Sequence, residues 1–139
     1  MFISDNDYKV VIGDAALNVV SHTDALTRRA AEAHAQEEIS SYLRPKYDVN
    51  AIFSAQGDLR SSLIVMYTCD IAIYHMIASQ PQKMGAEIRK ERYDRAIKWL
   101  EGVQAGKILP DLPLSSGDDG QPSNSPITYH SQPQLRHNW

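Results

Sequence analysis

The stretch from Asp58 to Lys107 most constrains the fold, because two helical patterns of different character follow one another in it. In the first, Leu63, Met66, Tyr67, Ile71, Tyr74, Ile77 and Ala78 recur at helical spacing, while Val65, Ala72 and Ile73 extend the apolar surface around the cylinder. A helix apolar on most sides is either central or shared with a neighbouring subunit. In the second, Ile88, Tyr93, Ala96, Ile97, Trp99, Leu100 and Val103 fall within about half the circumference at ~100° per residue, and Lys90, Glu91, Asp94, Arg95, Lys98 and Glu101 fill the rest. Asp58 can cap the first helix, Gln80-Pro81-Gln82 ends it near Ser79, and the second begins at Gly85 or Ala86 and ends near Gly106. The expected core of this hairpin is Leu63, Met66, Tyr67, Ile71, Tyr74, Tyr93, Ile97, Trp99 and Leu100.

Charged groups also fall inside the apolar arcs. Asp70 lies between Met66 and Tyr74, and Arg89 and Arg92 point into the apolar side of the last helix. With an antiparallel turn near Pro81 to Lys83, Asp70 lies level with about Arg95, one turn from Arg92. An unpaired carboxylate is costly to desolvate, so the register predicts a structural Asp70 to Arg92 pair, with Arg89 the weaker candidate.

Upstream, Ser4 and Asp14 are plausible N-caps for one or two short helical turns within the first 22 residues. Thr23 or Asp24 caps a long helix to about Leu43, which stops before Pro45. On it Leu26, Ala30, Ala33, Ser40 and Leu43 share a face of mostly small residues, with Glu37 among them. Lys46 to Gly57 lacks sustained helical periodicity and reads as a loop anchored by Ile52 and Phe53. From Pro110 onward five prolines and a Ser-Ser-Gly-Asp-Asp-Gly run exclude a helix or central strand. The expectation is therefore an all-α fold: a helical domain over 1–109, built of three long helices plus one or two short N-terminal turns, and an extended C-terminal arm over 110–139.

At 139 residues the chain has room for one modest core. Its net charge of -3, with acids and bases interspersed, gives no long-range attraction for DNA, and the basic residues of the last helix are interleaved with Glu87, Glu91, Asp94 and Glu101. One cysteine excludes an internal disulfide and fits a reducing cytoplasm; Cys69, within an apolar helix, reads as a small buried hydrophobe. No apolar run approaches the ~20 residues of a membrane span, and the Asp-bearing N-terminus does not read as a signal peptide.

Catalytic signals are weak. His34 and Glu38 have the i, i+4 spacing of two metal ligands but no third nearby, and Tyr67 and Tyr74 read as core before binding strip. His22 and His75 lack a nucleophile or acid at a motif spacing, and no phosphate-binding glycine loop is present. No catalytic, cofactor or metal site is expected.

Several segments taken in order resemble a known family. These are Glu37-Glu38-Ile39-Ser40-Ser41-Tyr42-Leu43, Tyr47-Asp48, Cys69-Asp70-Ile71-Ala72-Ile73-Tyr74, Arg92-Tyr93-Asp94-Arg95-Ala96-Ile97-Lys98-Trp99-Leu100 and Gly106-Lys107. Their order and spacing resemble the Mu-like head-to-tail connector proteins of tailed bacteriophages, also called adaptor or head-completion proteins. The terminal Tyr129 to Trp139 is similar to that family's serine, proline, arginine and aromatic ending, with His130 where relatives often have glycine, and Gln134 and Leu135 where basic residues are common. The resemblance implies a virion protein, made in the host cytoplasm, whose copies form a ring, usually twelvefold, beneath the portal. Such a ring extends the DNA channel and carries the next neck or tail-completion protein. DNA passes without specific recognition, so acids are expected on the lumen, Asp118-Asp119 among the candidates. Ile127, Tyr129, Pro133, Leu135, Arg136 and Trp139 are the expected docking residues of the arm, on the portal or on a neighbouring subunit. The competing readings are a small helical regulatory module that recruits a partner through its tail, and an enzyme with a dispersed site.

Overall fold

A computed structural model describes residues 1–78 and 86–116. Six α-helices occur in them: α1 (Asp5–Ile12), α2 (Asp14–His22), α3 (Ala25–Leu43), α4 (Val49–Ser54), α5 (Ser62–Ala78) and α6 (Ala86–Gln104), with a 3-10 turn at Gly57–Leu59. The β-pairing seen among the described residues is an isolated antiparallel bridge between Tyr47 and Leu114. The fold is all-α.

Helix starts follow local chemistry. Ser4 and Asp7 form a reciprocal capping box on α1, each side chain accepting from the other's backbone amide. Asp24 accepts the Thr27 amide at 2.9 Å to open α3, and Asp48 accepts that of Ala51 at 3.1 Å to open α4. Two expected caps differ. Gly13, at φ +90°, occupies the cap position between α1 and α2, so Asp14 is the first helical residue. Asp58 lies in the 3-10 turn, and α5 starts four residues later, at Ser62. The expected loop from Lys46 to Gly57 contains α4, which at six residues is too short to display a period.

α5 is the central element and packs against α3, α6, α1 and α2. Ile64, Ile71, Ile73 and Met76 are fully buried on it, each contributing about 1.5–3 kcal/mol of transfer free energy. Tyr67, Ile71 and Leu100 of the expected core are buried, Met66, Tyr93, Ile97 and Trp99 pack half-buried at its edge, and half-buried Tyr74 lies against Tyr93. Leu63 is 42% exposed: it sits in the first turn of α5, where Ile64 takes the inward position. The face assigned to α3 is also corrected. Leu26 is 78% exposed, and Ala30, Ala33 and Glu37 face solvent, whereas Ala31, Glu32, Ala35, Ile39, Ser40 and Leu43 are buried. Alanines surround this helix on all sides and carry no phase, so contact with α5 decides which stripe is covered.

α6 ends in a Schellman motif. Lys107 N–H donates to the Gly102 carbonyl at 2.9 Å and Gly106 N–H to that of Val103 at 3.0 Å, with Gly106 at φ +75°. The chain then folds back. Ile108 lies so close to Gly102 that a Cβ there would stand 2.7 Å from its Cδ1. Leu112 is buried, Asp48 N–H donates to the Pro113 carbonyl at 2.9 Å, and Ser115 N–H donates to that of Lys46 at 3.0 Å. The first part of the arm, through Ser115, is thus packed on the helical body. The break at Gln80-Pro81-Gln82 and the docking residues Ile127, Tyr129, Pro133, Leu135, Arg136 and Trp139 lie outside the described residues, as do Asp118 and Asp119.

Candidate functional site

The one acid in the apolar sequence of α5 is enclosed. Asp70 is 1% exposed, and Arg92 Nε donates to its Oδ1 at 2.8 Å. Arg92 Nη2 also donates to the Val11 carbonyl at 3.1 Å, so a single guanidinium ties α6 to α5 and to the end of α1. Among the described residues Asp70 Oδ2 has no hydrogen-bond partner, and the exposed Arg95 stands 3.8 Å from it. Burial pushes the Asp70 carboxyl up, against the pull of Arg92, Arg95 and Arg89. Burial, followed by repulsion from Arg92, pushes the Arg89 guanidinium down. One arginine therefore bonds the shielded carboxylate, a second stands close to it, and a third adds to the positive field around it. This arrangement suits a lock between helices.

A second polar seam crosses α3, α5 and α6. Tyr93 Oη donates to Glu38 Oε1 at 2.5 Å, and His75 Nε2 lies 3.1 Å from Glu38 Oε2. The Tyr74 and Tyr93 rings stack at 4.1 Å, and His34 meets His75 edge-on at 6.2 Å. Burial, then the hydrogen bond to Glu38, pushes the Tyr93 phenol up. Glu38 thus pairs across the bundle; among the described residues no group of three His, Cys, Asp or Glu is placed to hold a metal ion. The Tyr67 and Trp99 rings meet with centroids 4.9 Å apart and planes tilted by 33°. Cys69 is fully buried, and burial pushes its thiol up, away from the reactive form.

The N-terminal helices are held by a third set, which sequence reasoning missed. Arg60 donates to the Phe2 carbonyl at 2.7 Å and to both oxygens of Asp7, at 2.8 and 3.1 Å. The Arg60 hydrogen bond holds the Asp7 carboxyl below its ordinary range. Buried Tyr8 donates to Glu32 Oε1 at 3.0 Å, which also accepts from Arg28 Nε at 3.0 Å. The i, i+4 spacing of Arg28 and Glu32 was a legible signal; the Asp7 and Tyr8 partners, 53 and 24 residues away, had none.

What remains accessible lies on the outside. Val10, Leu26, Leu59, Ile88 and Leu109 are exposed. Two grooves flank α5. One, of about 630 Å³, is lined by Val10, Val11, Val65 and Met66 with Asp58 and Arg60 at its edge. The other, of about 580 Å³, has Tyr67, Trp99 and Ile108 on its floor and Arg95, Lys98, Glu101 and Lys107 around it. No helix among the described residues is long and apolar enough to cross a membrane. The buried polar side chains described above tie helices together, and the exposed surface is apolar in places and mixed in charge, which suits protein contact.

Comparison with curated proteins gives no match, and comparison with solved structures gives none either. The family model described as bacteriophage Mu, Gp36 matches residues 4–128, which takes in every described helix and the packed start of the arm. The chain belongs to the bacteriophage Mu Gp36 family.

Proposed function

We propose that this protein is a structural component of a tailed-phage virion: the head-to-tail connector, or adaptor, subunit, twelve copies of which form a ring beneath the portal. The ring extends the DNA channel and presents the platform on which the next neck or tail-completion protein assembles. The observation that carries this reading is the family match over residues 4–128, taken with the connector-like order of segments from Glu37 to Lys107. The structure lends support of a different kind. Its buried polar groups are committed to inter-helix pairing, and apolar side chains such as Leu26, Leu59 and Ile88 are left uncovered, as in a subunit stabilised partly by its neighbours. The role is non-catalytic, and the arm beyond Ser116, with Ile127 to Trp139, docks on the portal or a neighbouring subunit.

Mass measurement and negative-stain imaging of the full chain, alone and with its cognate portal, test this. The expected result is a closed ring or a stable portal complex. A monomer or dimer that never associates with portal would refute it and would favour the regulatory-module reading.

A further inference from the structure

The groove beside Trp99 has a composition that calls for a particular occupant. Its floor is aromatic and aliphatic: Tyr67 against Trp99 with ring centroids 4.9 Å apart, closed on one side by Ile108 folded over Gly102. Its rim carries Arg95, Lys98 and Lys107 against the single acid Glu101. Arg95 is partly engaged by Asp70, whereas Lys98 and Lys107, both exposed, have no ion-pair partner among the described residues. An extended segment combining acids with an apolar or aromatic side chain matches both features.

The chain contains such a segment close by. Ser115 is pinned to the Lys46 carbonyl through both its amide and its hydroxyl, at 3.0 and 3.1 Å. Lys46 and Tyr47 line a cavity together with Gln104, Ala105 and Gly106, so this anchor stands beside the C-terminal turn of α6, the turn that supplies Ala105 and Lys107 to the groove. Asp118 and Asp119 follow the anchor within four residues, and Ile127 and Tyr129 come eight to ten residues later. From Asp118 to Ile127 the chain can span up to ~30 Å, enough to pass from rim to floor.

We propose that Asp118–Tyr129 of the same chain occupies this groove, with Asp118 and Asp119 on Lys98 and Lys107 and the Ile127 and Tyr129 side chains over Tyr67 and Trp99. The closure is intramolecular, so it is formed at any protein concentration and does not depend on ring assembly. It also sets an order of events: an arm lying in its own groove must leave before its end can engage another protein.

Because the native cysteine is buried, disulfide trapping reads the contact directly. The full-length Lys98→Cys/Asp119→Cys variant is oxidised mildly at several dilutions and compared with Arg29→Cys/Asp119→Cys, whose first cysteine is on the exposed side of α3. The expected result is an intramolecular product from the first pair in about fivefold or greater excess over the second, at a yield independent of dilution and reduced by high salt. A second readout, in a Trp139→Phe background, is quenching of Trp99 by acrylamide, which should increase about twofold in Asp118→Lys/Asp119→Lys as the groove empties. Equal trapping by the two pairs, a crosslink that forms only between chains, or quenching unchanged by the charge reversal would each overturn the proposal.

Discussion

Replacing Arg92 by methionine keeps the bulk of the side chain and removes the charge that faces Asp70. Taking away one partner of a buried pair typically costs 3–5 kcal/mol. Asp70 is fully enclosed, which argues for the full cost, but Arg92 is 27% exposed and Arg95, at 3.8 Å, can move toward the abandoned carboxylate. Arg92→Met is therefore expected near the lower end, about 3 kcal/mol, or roughly 10 °C in melting temperature for a chain of this size. The pH dependence distinguishes this cause from simple loss of packing. Burial already pushes the Asp70 carboxyl up, and without Arg92 it moves further up. A carboxyl raised above its unfolded value of about 3.9 takes up protons on folding, so stability grows as pH falls into that window and is lost as pH rises through the folded value. The cost of Arg92→Met should thus be larger at about pH 7.5 than at about pH 5, and Asp70→Leu in the same chain should recover most of it at about pH 7.5. Urea unfolding followed by helical circular dichroism, at one low protein concentration so that association does not enter, measures all three. A cost below about 1 kcal/mol, or one that is the same at both pH values, would refute the lock.

Other consequences are measurable in the same way. Arg60→Lys loses the paired hydrogen bonds to Asp7 and should cost about 1–2 kcal/mol, with faster amide exchange in α1 than in α3. Because Arg60 holds the Asp7 carboxyl low, the stability this pair contributes is present above the unfolded value of about 3.9 and is lost as pH falls through the lower folded value; the variant should show a flatter acid limb. Burial raises the Tyr8 phenol, so the folded protein should lose stability as pH rises above about 10, where the unfolded chain ionises, and Tyr8→Phe should lessen that loss in alkaline melts. Gly106→Ala, at φ +75°, should cost about 1 kcal/mol in thermal unfolding without altering helix content elsewhere.

The three long helices were legible from local signals: Asp24 before α3, the charged half-circumference of α6, and for α5 a mostly apolar run too long for an ordinary strand. What failed was phase on helices with little contrast. α5 is apolar nearly all round, so Leu63 and Ile64 compete for the same inward position, and only the neighbours choose between them. On α3 the alanines made Leu26 the natural anchor, yet the covered stripe runs through Ala31, Ala35 and Ile39. Of the polar sets, Asp70 with Arg92 could be reached from hairpin register alone. Glu38 could not: its partners His75 and Tyr93 come from 37 and 55 residues away, and spacing along one helix pointed to no partner on another. The N-terminal latches were hidden for the same reason, since Arg60 and Phe2 meet across 58 residues.

The Arg92 hydrogen bond to the Val11 carbonyl closes 81 residues of chain. During synthesis the attachment of the α1 segment to Arg60 can form once Arg60 has emerged, whereas the Val11 attachment to Arg92 waits until α6 has been made. Phe2, Ile3 and Tyr8 are buried in the finished bundle, where α1 packs against α2 and α5. The α1 segment thus precedes its α5 partner in synthesis, and its apolar side chains stay open to non-native association until α5 arrives.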